Sequence, residues 1–122
     1  MKIQTKNIYI GTLGSFDVTI PKITLNSGKI GPNLVLVAGQ HGNEITPLFV
    51  IKKLLDKLEK NPIQKGTITI LPVTNPLGLV FNTRREPLDG DNLNREAPGN
   101  YKKDFGKRLA AVIFEECQKA DF

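Results

Sequence analysis

The sequence predicts an α/β fold, a mixed sheet with a parallel strand–helix–strand core flanked by helices. Residues 33–38 form a continuous apolar run, as expected of a central strand covered on both faces. Residues 44–58 have the spacing of an amphipathic helix, and residues 67–71 are rich in β-branched side chains. Since a strand, a helix of about four turns and a second strand form a right-handed crossover, we expect these strands to be parallel.

Short β-type segments precede this core. Residues 8–11 and 16–20 lie on either side of Gly14 and predict a hairpin, and residues 23–25 predict a third short strand. Turn-forming residues at 26–32 should end that strand. We therefore expect a β-rich N-terminal edge on the sheet.

The helix at residues 44–58 should pack on the sheet through one apolar stripe and expose its lysines. Pro62 should end it, because proline cannot continue a helix. The stripe comprises Leu48, Ile51, Leu54, Leu55 and Leu58.

The second half of the chain alternates a long polar segment with another helix. Residues 74–100 are rich in Gly, Pro, Asn, Asp and Arg and have no hydrophobic period, which is typical of a functional loop. Residues 101–118 predict a covering helix with Cys117 buried and with Glu115 and Glu116 facing solvent. Residues 120–122 resemble the approach to another strand, so we interpret the chain as a larger α/β unit truncated after its second helix.

Composition limits the possible functions. The 122 residues fit one domain at most, and the 39% hydrophobic content suits a modest core. The net charge of +5 comes largely from lysines on predicted helix faces, and two tyrosines without tryptophan argue against a base-stacking surface. A single cysteine excludes an internal disulfide. No apolar run is long enough for a leader or a membrane span, so we expect a cytoplasmic protein.

The most informative motif is HGNE at residues 41–44, directly after the first core strand. It places His41 at the strand's C-terminal end and Glu44 in the first helical turn, at the edge where open α/β sheets bind ligands. Imidazole nitrogen and carboxylate oxygen are both ligands of hydrolytic zinc sites. A phosphate cradle at Gly39 and Gly42 is the alternative, but the known glycine-rich signatures are missing. His41 is the only histidine, so a site of two His and one Glu cannot be completed within these residues.

With its downstream motifs, the chain resembles the succinylglutamate desuccinylase/aspartoacylase family of zinc carboxypeptidase-like metallohydrolases. The matching segments are GPNLVLVAGQHGNE at residues 31–44, VTNPLG at 73–78, Arg85, DGDNLNR at 89–95 and APG at 97–99. Each motif alone would be a weak signal, and their order and separation make the resemblance specific.

The resemblance implies Zn²⁺ as the cofactor, with His41 and Glu44 as its first two ligands. It implies that Arg85 polarises the scissile carbonyl and that Asn94 and Arg95 hold a substrate carboxylate. A planar guanidinium suits a carboxylate bidentately, which agrees with that role.

The chain departs from the family pattern at a few positions. Asn92 stands where members often have Asp, which removes a charge that could orient Arg95, and Ala97 replaces a phenylalanine. The family's third zinc ligand, a histidine, and its general-base glutamate would follow residue 122. Arg84 keeps the alternative interpretation of a loop arginine that aids solubility or contacts nucleic acid.

Residues 1–122 are therefore expected to be the N-terminal part of a single zinc-carboxypeptidase-like catalytic domain. The expected activity is zinc-dependent removal of the acyl group from an N-acyl amino acid or a related small amide, with no nucleic-acid or membrane partner. A carboxypeptidase-like peptidase and an N-acyl diamino acid deacylase are alternatives, as is a non-catalytic module that binds an anion or nucleic acid through residues 74–100. Alone, the chain should bind zinc weakly, be inactive, and self-associate or require a complementing chain.

Overall fold

The computed structural model describes all 122 residues, which form four strands, three α-helices and one 3-10 turn. The elements in chain order are β1 (Lys2–Leu13), β2 (Phe16–Asn26), β3 (Asn33–Val37), α1 (Thr46–Lys60), β4 (Thr67–Leu71), α2 (Pro76–Phe81), the 3-10 turn (Leu93–Arg95) and α3 (Phe105–Gln118).

The four strands form one mixed sheet in the order β1-β2-β4-β3. β1 and β2 pair antiparallel, β2 and β4 pair antiparallel, and β3 and β4 pair in parallel with Leu34 opposite Ile68. α1 connects the two parallel strands. The predicted α/β fold with a parallel strand–helix–strand core and a β-rich N-terminal edge is confirmed.

The N-terminal strands are longer than the sequence predicted. The expected hairpin strands at residues 8–11 and 16–20 and the expected third strand at 23–25 belong to only two strands, because β2 continues through Pro21. β4 pairs with β2 only from Ile23 onward, so Pro21 has a strand neighbour on one side only. A proline is tolerated where one side of a strand is free.

The core lies on both faces of the sheet. Consecutive residues of a strand point to opposite faces, so Ile70 joins the cluster under α1 and Leu71 joins the cluster under α3. Both side chains are fully buried. Ile51 is the buried residue of α1 on one face, and Leu109, Val112 and Ile113 are the α3 residues in the buried cluster on the other.

Four expectations about the helices and the segment at 74–100 were wrong. α1 begins at Thr46 rather than at residue 44, and the segment at 74–100 contains the short helix α2 and the 3-10 turn. Cys117 is exposed rather than buried, and Glu116 is buried rather than solvent-facing. Glu116 forms ion pairs with Lys22 and Lys119, and this pairing makes its burial possible.

The last residues lie beside the free edge of β3 and hydrogen-bond to it. Val35 donates its N–H to the carbonyl of Phe122 at 2.9 Å, and Phe122 donates to the carbonyl of Asn33 at 3.3 Å. These two bonds flank Leu34 in the pattern of a parallel ladder. Residues 120–122 are not part of an assigned strand, so their approach to another strand stays a prediction. None of the helices combines the length and the apolar character that a bilayer span requires.

The buried pair of Glu116 and Lys22 gives a stability prediction that depends on pH. Burial alone would raise the pKa of Glu116, but Lys22 and Lys119 outweigh it and hold the pKa below its ordinary value of 4.5. Glu116→Gln should lower the free energy of unfolding by about 1–3 kcal/mol at neutral pH, since Lys22 then stays buried without a counter-charge. A depressed pKa stabilises the fold above pH 4.5 and ceases to do so as the pH falls through the folded-state pKa, so the difference should shrink in acid.

Urea unfolding of both proteins across this pH range measures the effect. Glu115→Gln is the matched control, because the Glu115 side chain is 53% exposed and its replacement should cost much less. An equal loss in both variants, or a loss at Glu116 that does not change with pH, would contradict the assignment.

Candidate metal and substrate site

The parallel strands β3 and β4 bring two loops to one edge of the sheet, and the candidate site lies there. After β3 the chain turns at Gly39, whose φ of +66° favours glycine, and reaches His41 two residues later. Glu44 lies in a turn closed by its own N–H and the His41 carbonyl at 3.2 Å, two residues before α1 begins. The expectation that Glu44 belongs to the first helical turn was therefore wrong, although the motif does follow the strand end.

Both ring nitrogens of His41 have a polar partner. Nε2 lies 3.0 Å from Oδ1 of Asn92, and Nδ1 lies 3.1 Å from Oε1 of Glu44. The backbone N–H of Asn94 also donates to Oδ1 of Asn92, which identifies that atom as the amide oxygen. An amide oxygen only accepts, so Nε2 must carry the ring proton.

With the ring proton on Nε2, Nδ1 of His41 faces a carboxylate oxygen of Glu44. Two acceptors 3.1 Å apart require a proton or a cation between them. Zinc bonds to nitrogen and oxygen are about 2.0–2.2 Å long, so two ligands of a tetrahedral ion lie about 3.3–3.6 Å apart, and a few tenths of an ångström of movement would bring the pair to that spacing. The spacing of His41 and Glu44 and the orientation of the imidazole by Asn92 therefore fit a zinc ion.

An arginine also reaches this pair, but it is not the one that the resemblance indicated. Arg84 places Nη1 3.1 Å from Oε1 of Glu44, so a single carboxylate oxygen contacts both His41 and a guanidinium. Arg85 instead donates to the carbonyl of Gly90 at 3.1 Å, and no hydrogen bond joins it to His41 or Glu44. Neighbouring loop residues point in different directions, and no sequence pattern indicates which of two adjacent arginines faces the histidine.

The 3-10 turn brings Asn94 to the site. Leu93 is buried in the core under α3 and anchors the turn, while Asn92 caps it with its side chain. Asn94 lines a groove of about 360 Å³ together with His41 and Glu44. The other lining residues are Val37, Ala38, Gly39, Gln40 and Pro47.

Arg95 does not line this groove, and Asn92 does not orient it. Arg95 is exposed and donates Nη1 to the carbonyl of Asn94 at 3.0 Å. The side chain of Asn92 binds His41 and the backbone of Asn94 and forms no hydrogen bond with Arg95, in line with the expectation that Asn at this position does not orient that arginine. Asn92, where family members often have Asp, therefore places an amide rather than a carboxylate against Nε2 of His41.

The loop that leads to Asn92 is held by a buried carboxylate that sequence reasoning missed. Glu86 is fully buried and accepts the N–H groups of Leu88 and Asp89 at 3.0 and 2.8 Å. Burial raises its pKa in spite of these two bonds. A glutamate between an arginine and a proline in a polar stretch gives no sequence signal of burial.

Three acidic groups on the same loop and α3 lie close together, namely Asp89, Asp91 and Asp104. Lys107 already binds Asp91 and Asp104 at 3.2 and 3.3 Å, and Asp89 accepts the N–H of Gly106 at 3.1 Å. These bonds tie the loop to the start of α3.

The contact between Oδ1 of Asn92 and Nε2 of His41 should fix the tautomer of the imidazole. Asn92→Leu keeps a similar volume but removes the acceptor, so the imidazole should lose its preference for a proton on Nε2. Long-range ¹H–¹⁵N NMR at about pH 8, where imidazoles are neutral, reads this directly because the chain has one histidine. Asn61→Leu, at the exposed end of α1, is the control and should leave the ring unchanged. An unchanged Nε2–H tautomer in Asn92→Leu would show that this contact does not control the ring.

Both a family model and a curated relative match this sequence. Residues 30–122 match the family model described as the succinylglutamate desuccinylase/aspartoacylase catalytic domain. Over 93 residues, which are 76% of this chain, the sequence is 35% identical to an N-alpha-acetyl-L-2,4-diaminobutyric acid deacetylase of Halomonas elongata. The match covers 27% of that relative.

Solved structures are also similar to this chain. An aspartoacylase family protein of Mesorhizobium loti superposes with a TM-score of 0.84 at 28% identity, over 97% of this chain and 37% of that one. A succinylglutamate desuccinylase/aspartoacylase of Rhodobacter sphaeroides gives a TM-score of 0.76 at 28% identity, over 91% of this chain and 35% of that one. The chain thus spans about a third of the length of these relatives.

Proposed function

The chain belongs to the succinylglutamate desuccinylase/aspartoacylase family, and we propose that residues 1–122 are the N-terminal part of a zinc-dependent deacylase domain. The proposed reaction is hydrolytic removal of an acyl group from a small N-acyl amino acid. The relative from Halomonas elongata is named for such a substrate, an N-acetylated diamino acid. The family as a whole is hydrolytic, which supports the reaction class.

The observation that carries the proposal is the pair of acceptors, Nδ1 of His41 and Oε1 of Glu44, at 3.1 Å. These two atoms would hold zinc at the C-terminal edge of the parallel strands. When bound, zinc supplies Lewis acidity for the scissile carbonyl and makes a water acidic near neutral pH. We propose that a third protein ligand and a general base lie outside these residues, because catalytic zinc sites use three protein ligands and the family resemblance implies a second histidine and a glutamate that this chain lacks at matching positions.

Arg84, rather than Arg85, is proposed to stabilise the charge that develops on the substrate carbonyl. Its guanidinium already contacts Glu44 at 3.1 Å, next to the atoms that would hold the metal. Fixed positive charge at this place acts directly on an oxyanion. Arg85 contacts the loop carbonyl of Gly90 instead, which suits a structural role in that loop.

Asn94 and Arg95 are proposed to hold the substrate's carboxylate. The Asn94 side chain lines the groove beside His41, and Arg95 follows it on the same 3-10 turn with an exposed guanidinium. The only bond of that guanidinium is to a neighbouring backbone carbonyl, so a carboxylate can compete for it. Holding the carboxylate would orient the amide toward the metal ligands.

Turnover of N-acetyl amino acids by the complete enzyme that carries these residues tests the proposal. Activity should be lost with a chelator and restored by zinc. Arg84→Ala should lower kcat by about 100-fold or more, the usual cost of removing one oxyanion donor, and Arg85→Ala should lower it far less. A larger loss of kcat in Arg85→Ala than in Arg84→Ala would instead assign the carbonyl-polarising role to Arg85.

The choice of substrate separates this activity from its alternatives. N-acyl amino acids should be preferred over their carboxamides, since the amide lacks the charge that Arg95 would bind. Preference for peptides would identify a peptidase with the same fold. Full activity in metal-free enzyme, or strongly salt-dependent nucleic-acid binding that survives His41→Ala, would overturn the deacylase proposal.

A further inference from the structure

The motif VTNPLG at residues 73–78 lies next to the candidate site but does not line its groove. Thr74 and Asn75 connect β4 to α2, and both side chains are fully buried. Neither can contact a substrate in the groove, so their contacts with the neighbouring loop indicate what they do.

Thr74 and Asn75 bind three consecutive carbonyl groups, which are the last three before His41. The N–H and the hydroxyl of Thr74 donate to Ala38 at 3.1 and 2.9 Å. The N–H of Asn75 donates to Gly39 at 2.9 Å, and its side-chain Nδ2 donates to Gln40 at 3.2 Å. The peptide that precedes His41 is therefore held by one side-chain amide.

The other half of that amide fixes the residue after His41. Oδ1 of Asn75 accepts the N–H of Gly78 at 2.9 Å, at the start of α2. Gly42 packs so closely against this turn that a Cβ there would lie 1.9 Å from the carbonyl carbon of Gly78. His41 is thus enclosed between a carbonyl bound by Asn75 and a glycine packed on the turn that Asn75 caps.

We propose that Asn75 is a positioning residue that sets the place of His41 as a metal ligand. This proposal rests on the proposed function, because it assumes that His41 binds zinc. An amide at position 75 supplies the donor for Gln40 and the acceptor for Gly78 at once, which a carboxylate cannot do. Loss of the donor frees the Gln40–His41 peptide to rotate, and the Nδ1 atom then leaves its place 3.1 Å from Glu44.

Zinc titration of the 122-residue chain, followed through the NMR signals of its single imidazole, tests the proposal. Asn75→Asp keeps the acceptor for Gly78 and removes the donor to Gln40, so zinc affinity should fall about tenfold or more. Thr74→Val is the matched control at the same junction. It removes the buried hydrogen bond from the Thr74 hydroxyl, but the Ala38 carbonyl still accepts the backbone N–H of residue 74. Zinc affinity should therefore stay within about twofold of wild type, while the melting temperature falls.

Equal zinc affinity in wild type and Asn75→Asp would overturn the positioning role, as would equal losses in Asn75→Asp and Thr74→Val. Wild-type affinity in His41→Ala would instead overturn the proposed function, so the two failures are distinguishable. Should Asn75→Asp not fold, the wild-type chain still decides the point. The Asn75 side-chain amide protons should exchange slowly and shift with the same zinc dependence as the imidazole, and rapid exchange or no shift would contradict the proposal.

Discussion

The parallel pairing of β3 with β4 is the constraint on which the site depends. Parallel neighbours end at the same edge of a sheet, so the loop that carries His41 and the loop that carries Asn75 meet there. The buried Thr74 and Asn75 satisfy backbone carbonyls that would otherwise lack partners at this edge. The placement of the imidazole follows from the topology of the sheet and from the hydrogen-bonding needs of one loop.

A neutral amide and a charged guanidinium contact the His41–Glu44 pair from opposite ends. Asn92 presents a neutral oxygen to Nε2, which leaves the Nδ1 lone pair directed at Glu44. Arg84 then supplies a positive charge to the same carboxylate oxygen. If Glu44 holds zinc as proposed, the same carboxylate would keep the Arg84 guanidinium beside the metal ligands.

The fold could be predicted from the sequence because its core elements carry strong periodic signals. The apolar run at residues 33–38 and the β-branched run at 67–71 defined the parallel pair without further information. Prediction from the sequence fails where residues that are distant in the chain act together. Glu116 follows Leu109, Val112 and Ile113 at helical spacing, so it lies on the buried stripe, but only the distant Lys22 makes that burial tolerable.

The site could be predicted only in part, because it too depends on contacts between residues that are distant in the chain. The spacing of His41 and Glu44 is local, and the strand end before them could be read directly. Which of two adjacent arginines faces the pair depends on the path of a loop fixed by the buried Glu86, and no pattern reveals that path. Asn92 likewise meets His41 across 51 residues of sequence, a contact that only the tertiary structure specifies.

X-ray absorption at the zinc edge, on the 122-residue chain in large molar excess over zinc so that a weak site still takes up the metal, tests whether His41 and Glu44 are the metal ligands. We expect one imidazole nitrogen at about 2.0–2.1 Å from zinc together with oxygen ligands, and loss of the imidazole signal in His41→Ala. A first shell of oxygen alone in the wild-type chain would contradict it. Such a result would assign the metal to carboxylates such as Asp89, Asp91 and Asp104 instead of the His41–Glu44 pair.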